Sequence, residues 1–236
     1  MSEFLLQYQK IQLERVVFYL YFHKMFNREN YKILSQELGS KVQLVAVSKF
    51  KSADDIMKAY EAGHRDFGEN YVQELLEKQE ALPKDIRWHY IGHLQSNKVK
   101  YISPFIHLVH GVDSVKLLKE LNKQASKQNR KISCLLQVHI ASEETKFGFN
   151  ESELKEVVVK DYDFLDICGL MGMASFSEEE QILRNEFSSL RNLFEDLRNI
   201  HPSFTILSMG MSNDYKVAIE EGSNMVRIGS LIFGRR

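Results

Sequence analysis

The segment Val42–Lys51, VQLVAVSKFK, is a run of apolar, valine-rich residues that ends on a lysine. Such a run, with little polar alternation, is the pattern of a strand covered on both faces, as parallel strands are. A lysine at its end ordinarily marks where the strand meets water and does no more than cap it. Whether Lys49 has a larger role depends on what stands at the ends of the other strands, and therefore on their number.

From Val42 onward eight short apolar runs alternate with amphipathic stretches: QLVAVS, RDFGE, RWHYIG, IHLVHGV, ISCLLQVHI, FLDICGLMGM, FTILSM and NMVRIG. Between them apolar residues recur at helical spacing, as in Leu118, Leu121, Ala125 and in Leu183, Phe187, Leu190, Phe194, Leu197. Asn97 to Tyr101 is the weakest of these stretches and reads as a short helix. Strict strand-then-helix order eight times over predicts an α/β chain folded as a single-domain (β/α)8 TIM barrel, with an open doubly wound sheet as the competing architecture. The pentapeptides AYEAG (Ala59–Gly63) and AIEEG (Ala218–Gly222) echo one another, each closing a helix on a glycine suited to the left-handed cap.

At 236 residues, 44% of them hydrophobic, the chain can bury one substantial core. The 31 basic and 32 acidic residues nearly cancel, so no global field favours nucleic acid or an anionic membrane, and KQNRK (Lys127–Lys131) reads as a solvated helix end. Cys134 and Cys168 lie in strand-like segments and are expected as free thiols of a cytoplasmic protein. Near the N-terminus VVFYLYF (Val16–Phe22) is far shorter than the roughly 20 residues that span a bilayer, and no small-residue cleavage site follows it. Residues 1–29 are expected to be an extension, with those before Met25 outside the native unit, and residues 30–236 to form the barrel. An amphipathic surface helix is the alternative reading of the extension.

Barrel sites sit at the C-terminal ends of the strands, so those ends form one ring: Lys49, Asn70, Gly92 to Gln95, Asp113, His139, Met171 to Met173, Ser208 to Ser212, Gly229 and Ser230. SMGMS (Ser208–Ser212) and RIGS (Arg227–Ser230) combine glycine with hydroxyls after strands seven and eight, where barrels bind phosphate. Either motif alone would read as a tight turn; together they favour phosphate. A lysine facing such a pocket is either a phosphate cation or a Schiff-base amine. Lys49 shares parity with Val45 and Val47, so if that face points inward its amine is partly desolvated, which favours the unprotonated form. Arg227 is a candidate neighbouring cation; a salt bridge at the strand end is its ordinary alternative. The pairs His89 and His93, and His107 and His110, lack a nearby Cys, Asp or Glu in sequence and read as structural histidines rather than metal ligands.

VAVSK (Val45–Lys49), DFGENYVQE (Asp66–Glu74), WHYIGHLQSNK (Trp88–Lys98), GLM (Gly169–Met171), LSMGMSND (Leu207–Asp214) and MVRIGSLIFG (Met225–Gly234) together resemble the YggS/PROSC family of pyridoxal phosphate homeostasis proteins, from about Asn30 to the C-terminus. The resemblance implies a barrel like the N-terminal domain of alanine racemase, with pyridoxal 5′-phosphate (PLP) held as a Schiff base on Lys49. It further implies Ser208, Ser212, Gly229 and Ser230 around the phosphate and Arg227 near the pyridine nitrogen; Asn70 and Met211 complete the expected cofactor-binding set. Phe50 and Ser52 depart from the family pattern, where Thr and Pro are common, and Ser230 replaces a common Thr. An arginine beside the pyridine nitrogen weakens the cofactor as an electron sink, and the chain stops at Arg236 without the second domain that gives racemases an opposing base. The expected function is therefore non-catalytic: a monomeric, cytoplasmic PLP carrier in vitamin B6 homeostasis, with PLP-dependent apoenzymes as recipients and an indirect effect on amino-acid balance. A PLP-dependent racemase and a Schiff-base aldolase are the competing functions.

Overall fold

The computed structural model describes residues 25–141, 148–158 and 162–234. All eight expected strands form: β1 (Gln43–Val47), β2 (Asp66–Glu69), β3 (Arg87–Tyr90), β4 (Leu108–Val112), β5 (Ile132–Val138), β6 (Leu165–Gly172), β7 (Ile206–Met211) and β8 (Met225–Ile228). They pair in chain order, every neighbour parallel, and β1 pairs with β8 to close the barrel. The doubly wound alternative is thereby excluded.

Nine α-helices are described: α1 (Arg28–Leu38), α2 (Ala53–Glu61), α3 (Val72–Ala81), α4 (Val99–Ile102), α5 (Val115–Lys127), α6 (Glu151–Val158), α7 (Glu180–Ile200), α8 (Tyr215–Glu220) and α9 (Ser230–Phe233). Their apolar stripes form the main core against the outer faces of the strands. On α7 the stripe Leu183, Phe187, Leu190, Phe194 and Leu197 is buried throughout, each side chain contributing about 1.5–3 kcal/mol by leaving water. Ser52 and Ser114 cap α2 and α5 by accepting from the N–H groups of Asp55 and Leu117. Gly63 and Gly222 follow α2 and α8 at φ 98° and 99°, the left-handed conformation that their echoed pentapeptides predict. The weak helix near Asn97 is a 3₁₀ turn (Ser96–Lys98) continued by the single turn of α4.

Inside the barrel, Val45, Leu108, Leu135, Met171 and Met225 make a small apolar cluster of their own. A Cβ on Gly68 would stand 3.0 Å from Val45 Cγ1 and 3.1 Å from Ile91 Cδ1, so glycine leaves the room those side chains fill. Polar side chains, among them His89, His110, Ser208 and Arg227, are also buried there.

The helix α1 opens at Arg28, within the segment expected as an extension, and it packs against β1 and α9. The Asn27 N–H donates to Ile232 O at 2.8 Å, and the Phe26 ring packs 6.0 Å from Phe233. Val16–Phe22 lies outside the described residues. No described helix is long and apolar enough to cross a membrane. Cys134 and Cys168 are free thiols, the first fully buried with its pKa raised by that burial.

Candidate functional site

The C-terminal ends of the strands open into a cavity of about 860 Å³, within the size range of small-molecule sites. Of the eight expected site residues, Lys49, Asn70, Met211, Ser212, Arg227, Gly229 and Ser230 line it. Ser208 does not. It is fully buried, and its hydroxyl is engaged by Arg227, so its place is beneath the cavity floor rather than at a phosphate. The ring of strand ends also divides: Gly92, His93 and Gln95 line a neighbouring cavity of about 660 Å³ with Tyr71 and Tyr101.

Lys49 stands two residues past the end of β1, in a turn, not in the strand itself. Inward parity is nonetheless kept, since Val45 lies in the interior cluster and Val47 lines the cavity. The turn is held from behind. Lys78, from α3, is almost fully buried and donates to Ser48 O (2.8 Å), Glu69 Oε1 (2.7 Å) and Glu74 Oε1 (2.7 Å). The Ser48 hydroxyl donates to Glu69 Oε1 at 2.5 Å, and the Phe50 N–H to Glu74 Oε1 at 2.5 Å. Phe50 takes a φ of +62°, an uncommon conformation for a side chain of its size. Burial raises the pKa of Glu69 against the lowering effect of Lys78. Lys51 points elsewhere, donating to Phe233 O at 2.6 Å and Gly234 O at 3.2 Å.

Asn70 follows β2 and is clamped by its neighbours. The Tyr90 hydroxyl donates to its carbonyl at 2.8 Å, and a Cβ on Gly92 would fall 2.7 Å from that oxygen. Its own side-chain Oδ1 is buried without a hydrogen-bond partner. On the far side, the Gly229 N–H donates to Ser212 Oγ at 3.4 Å, and Ser230 opens α9, whose first N–H groups have no intrahelical acceptor.

Arg227 is 4% exposed and makes no strand-end salt bridge. Its Nη1 donates to Ser208 O (2.9 Å) and Ser208 Oγ (2.7 Å), and its Nη2 to Gly172 O (3.0 Å), all formally neutral acceptors. Burial lowers its pKa to about 10, which leaves it cationic at neutral pH. The site thus gathers a primary amine, a guanidinium without a bonded carboxylate, an orphaned amide oxygen and a glycine–hydroxyl corner around one space.

The histidines are not isolated from acids, as sequence proximity had implied. His89 Nε2 lies 3.0 Å from Asp66 Oδ1, and His93 Nδ1 lies 2.8 Å from Asp113 Oδ2. Donor atoms of Asp66, His89 and His107 come within 4.8 Å of one another. Arg87 nevertheless donates to both Asp66 oxygens, at 2.8 and 2.5 Å, so a cation already occupies that carboxylate. The histidines read as structural from sequence thus have acidic partners that come from other strands.

Residues 27–236 match the family model of the alanine racemase N-terminal domain. The pyridoxal phosphate homeostasis protein of Schizosaccharomyces pombe is 41% identical over 203 residues, covering 84% of this chain and 86% of the relative. The protein of that name from Homo sapiens is 40% identical over 210 residues, covering 82% and 76%. Among solved structures, PipY of Synechococcus elongatus with PLP bound superposes with a TM-score of 0.80 at 35% identity, covering 88% of this chain and 99% of that one. An alanine racemase of Clostridium difficile, 14% identical with a TM-score of 0.74, shares the fold. By fold, by motif and by extent of match, the chain belongs to the pyridoxal phosphate homeostasis protein family.

Proposed function

We propose that this chain binds PLP in the barrel-mouth cavity, as a Schiff base on Lys49, and serves PLP homeostasis without turnover of its own. The observation that carries the reading is a match of functional groups. PLP has an aldehyde, a pyridine nitrogen, a ring hydroxyl and a phosphate. Lys49 offers the amine, Arg227 the group for the nitrogen, Asn70 Oδ1 a buried acceptor that lacks a donor, and Ser212, Gly229 and Ser230 the phosphate corner. Met211, 38% exposed, belongs to the rim. The named relatives and PLP-bound PipY support the same ligand.

When bound, PLP supplies an electrophilic aldehyde and an electron-withdrawing ring. The residues of this chain restrain that ring. A buried Arg227 disfavours a proton on the pyridine nitrogen, which weakens the ring as an electron sink. Among the described residues lining the cavity there is no Tyr, His or Cys to act as an opposing base. Its carboxylates are Glu178, Glu180 and Asp214, the last of which accepts from the Met211 N–H at 2.5 Å. Such a site supports a carrier that keeps the reactive aldehyde sequestered, and the role we propose with it is that of a monomer passing PLP to PLP-dependent apoenzymes.

Purified protein incubated with PLP should absorb as a protonated Schiff base, and borohydride should fix the cofactor on the peptide containing Lys49. No single amino acid should be racemised. Fixation on another lysine, or measurable racemisation, refutes the corresponding half of the proposal.

A further inference from the structure

Beneath the cavity floor a line of hydrogen bonds crosses the barrel interior from β8 to β2. Arg227 Nη1 lies 2.7 Å from Ser208 Oγ, His110 Nδ1 lies 3.2 Å from the same Oγ, His110 Nε2 lies 3.0 Å from His89 Nδ1, and His89 Nε2 lies 3.0 Å from Asp66 Oδ1. Ser208, His110 and His89 are each 0% exposed. Five strands contribute one member apiece.

The direction of donation is set from the carboxylate end. A guanidinium only donates, so Ser208 Oγ accepts from Arg227 and keeps its own proton available for His110 Nδ1. An ionised carboxylate only accepts, and Asp66 is kept ionised because the hydrogen bonds from His89 and Arg87 outweigh the burial that opposes them. His89 therefore carries its proton on Nε2 and accepts at Nδ1, which places a proton on His110 Nε2. With both rings kept neutral by burial, each is then the Nε2–H tautomer. A second proton on His89 would set two donors face to face at 3.0 Å, and one on His110 would leave the Ser208 hydroxyl proton without its acceptor. The charged and titratable groups around the two rings add to burial at His110 and divide at His89. For His110 these are His89, His107 and Arg227, which lower its pKa; for His89, Arg87 lowers it while the Asp66 carboxylate raises it, with His107 and His64 also near; burial dominates and lowers both pKa values.

We propose that Ser208, His110, His89 and Asp66 are positioning residues for Arg227: a one-way relay that fixes the guanidinium against the cofactor and excludes any second cation from the interior beneath it. This inference rests on the PLP reading for its purpose, though not for its geometry. Arg227 then presents one constant charge to the pyridine nitrogen across the physiological pH range. Ser208→Ala removes the hydroxyl whose proton fills His110 Nδ1 and frees one guanidinium N–H, whereas Ser208→Thr keeps the hydroxyl.

Two measurements test the relay. In the protein without PLP, long-range ¹H–¹⁵N NMR of the imidazole rings should find His89 and His110 as Nε2–H tautomers that do not titrate between pH 6 and 8.5 (about that window, from the ordinary histidine pKa near 6.5). An Nδ1–H tautomer or titration of either ring overturns the relay, whether or not PLP binds. In the loaded protein, the cofactor absorbance should be independent of pH. Ser208→Ala should weaken PLP binding roughly threefold to tenfold, as loss of a hydrogen bond to a charged group does, and make the absorbance vary with pH. Ser208→Thr should restore both. An unchanged spectrum and affinity in Ser208→Ala overturns the positioning role even if the tautomers are as assigned. Wild-type protein that takes up no PLP sinks the functional reading instead, and the cofactor-positioning role with it, while the NMR result still decides the relay.

Discussion

Replacing Lys78 with methionine tests how the turn carrying Lys49 is held. Lys78 is 7% exposed and its ammonium makes three hydrogen bonds, two of them to carboxylates. Glu69, one of those carboxylates, is 0% exposed, and its Oε2 already lacks a partner. Losing Lys78 leaves a buried carboxylate supported by the Ser48 hydroxyl, and breaking a buried pair from one side costs about 3–5 kcal/mol. For a domain of this size that is a fall in Tm of about 2–4 °C per kcal/mol. The sign of the pH dependence follows from Glu69, whose folded pKa is raised by burial. A group that holds its proton more tightly when folded loses stability as pH climbs past its unfolded value, about 4.3 for glutamate. Without Lys78 the ionised form has no cation, so the deficit of Lys78→Met should widen from pH 5 to pH 8. Urea unfolding at both pH values measures it. Lys78→Met combined with Glu69→Gln removes the stranded charge and should recover most of the stability. PLP affinity should recover less, since the Ser48 carbonyl loses the Lys78 ammonium and keeps only the Lys51 N–H. A single-variant loss under about 1 kcal/mol, far below the cost of a broken buried pair, or a double variant less stable than the single, would refute this account.

Other expectations are more direct. Lys51→Ala should leave the bound-PLP spectrum nearly unchanged, since that ammonium is engaged by Phe233 and Gly234 carbonyls; loss of the spectrum would show that Lys51 shares the role given to Lys49. Ser230→Asp sets a carboxylate against the phosphate corner, so PLP affinity should drop at least several-fold while pyridoxal binding changes less; equal losses measured for both ligands point to misfolding. Protein beginning at Met25 retains Phe26 and all of α1 and should match the full chain in thermal stability and PLP uptake; insoluble expression would contradict this. Gly169 holds φ +151°, and a Cβ there would fall 1.9 Å from Ile206 O, so Gly169→Ala should abolish soluble protein or lower its Tm steeply in a thermal melt.

The barrel was legible because its strands are buried on both faces and so stand out as uninterrupted apolar runs, with helical stripes between them. That Lys49, Asn70, Ser212, Gly229 and Ser230 line one cavity was legible because the fold brings every strand end to one mouth, and parity on β1 fixes which way Lys49 faces. Partners that cross between strands left no local trace. Lys78 sits among the charges of α3, where Glu74 and Glu77 make a solvated face the ordinary reading, and only the packing of α3 on β2 buries it. Asp66 and His89 are 23 residues apart and meet through strand pairing. Ser208 has the parity and the hydroxyl of a ligand residue, yet one level deeper in the barrel those same properties serve Arg227. Nor could sequence tell whether Arg227 would meet a carboxylate or carbonyls, since its acceptors come from β7 and from Gly172 at the end of β6.

Closure of the barrel by β1 against β8 has a kinetic consequence. Lys49 follows the first strand, and Arg227, Gly229 and Ser230 belong to or follow the last, so the two sides of the cavity stand on the two strands most distant in sequence. Contacts of that span carry the largest loop-closure entropy and tend to form late. Until the seam closes, Lys49 has no guanidinium or phosphate corner opposite it, and an incompletely folded chain holds only an ordinary surface amine. Acquisition of specific PLP binding during refolding should therefore coincide with the last structural phase, which makes the ligand's absorbance a reporter of completed assembly.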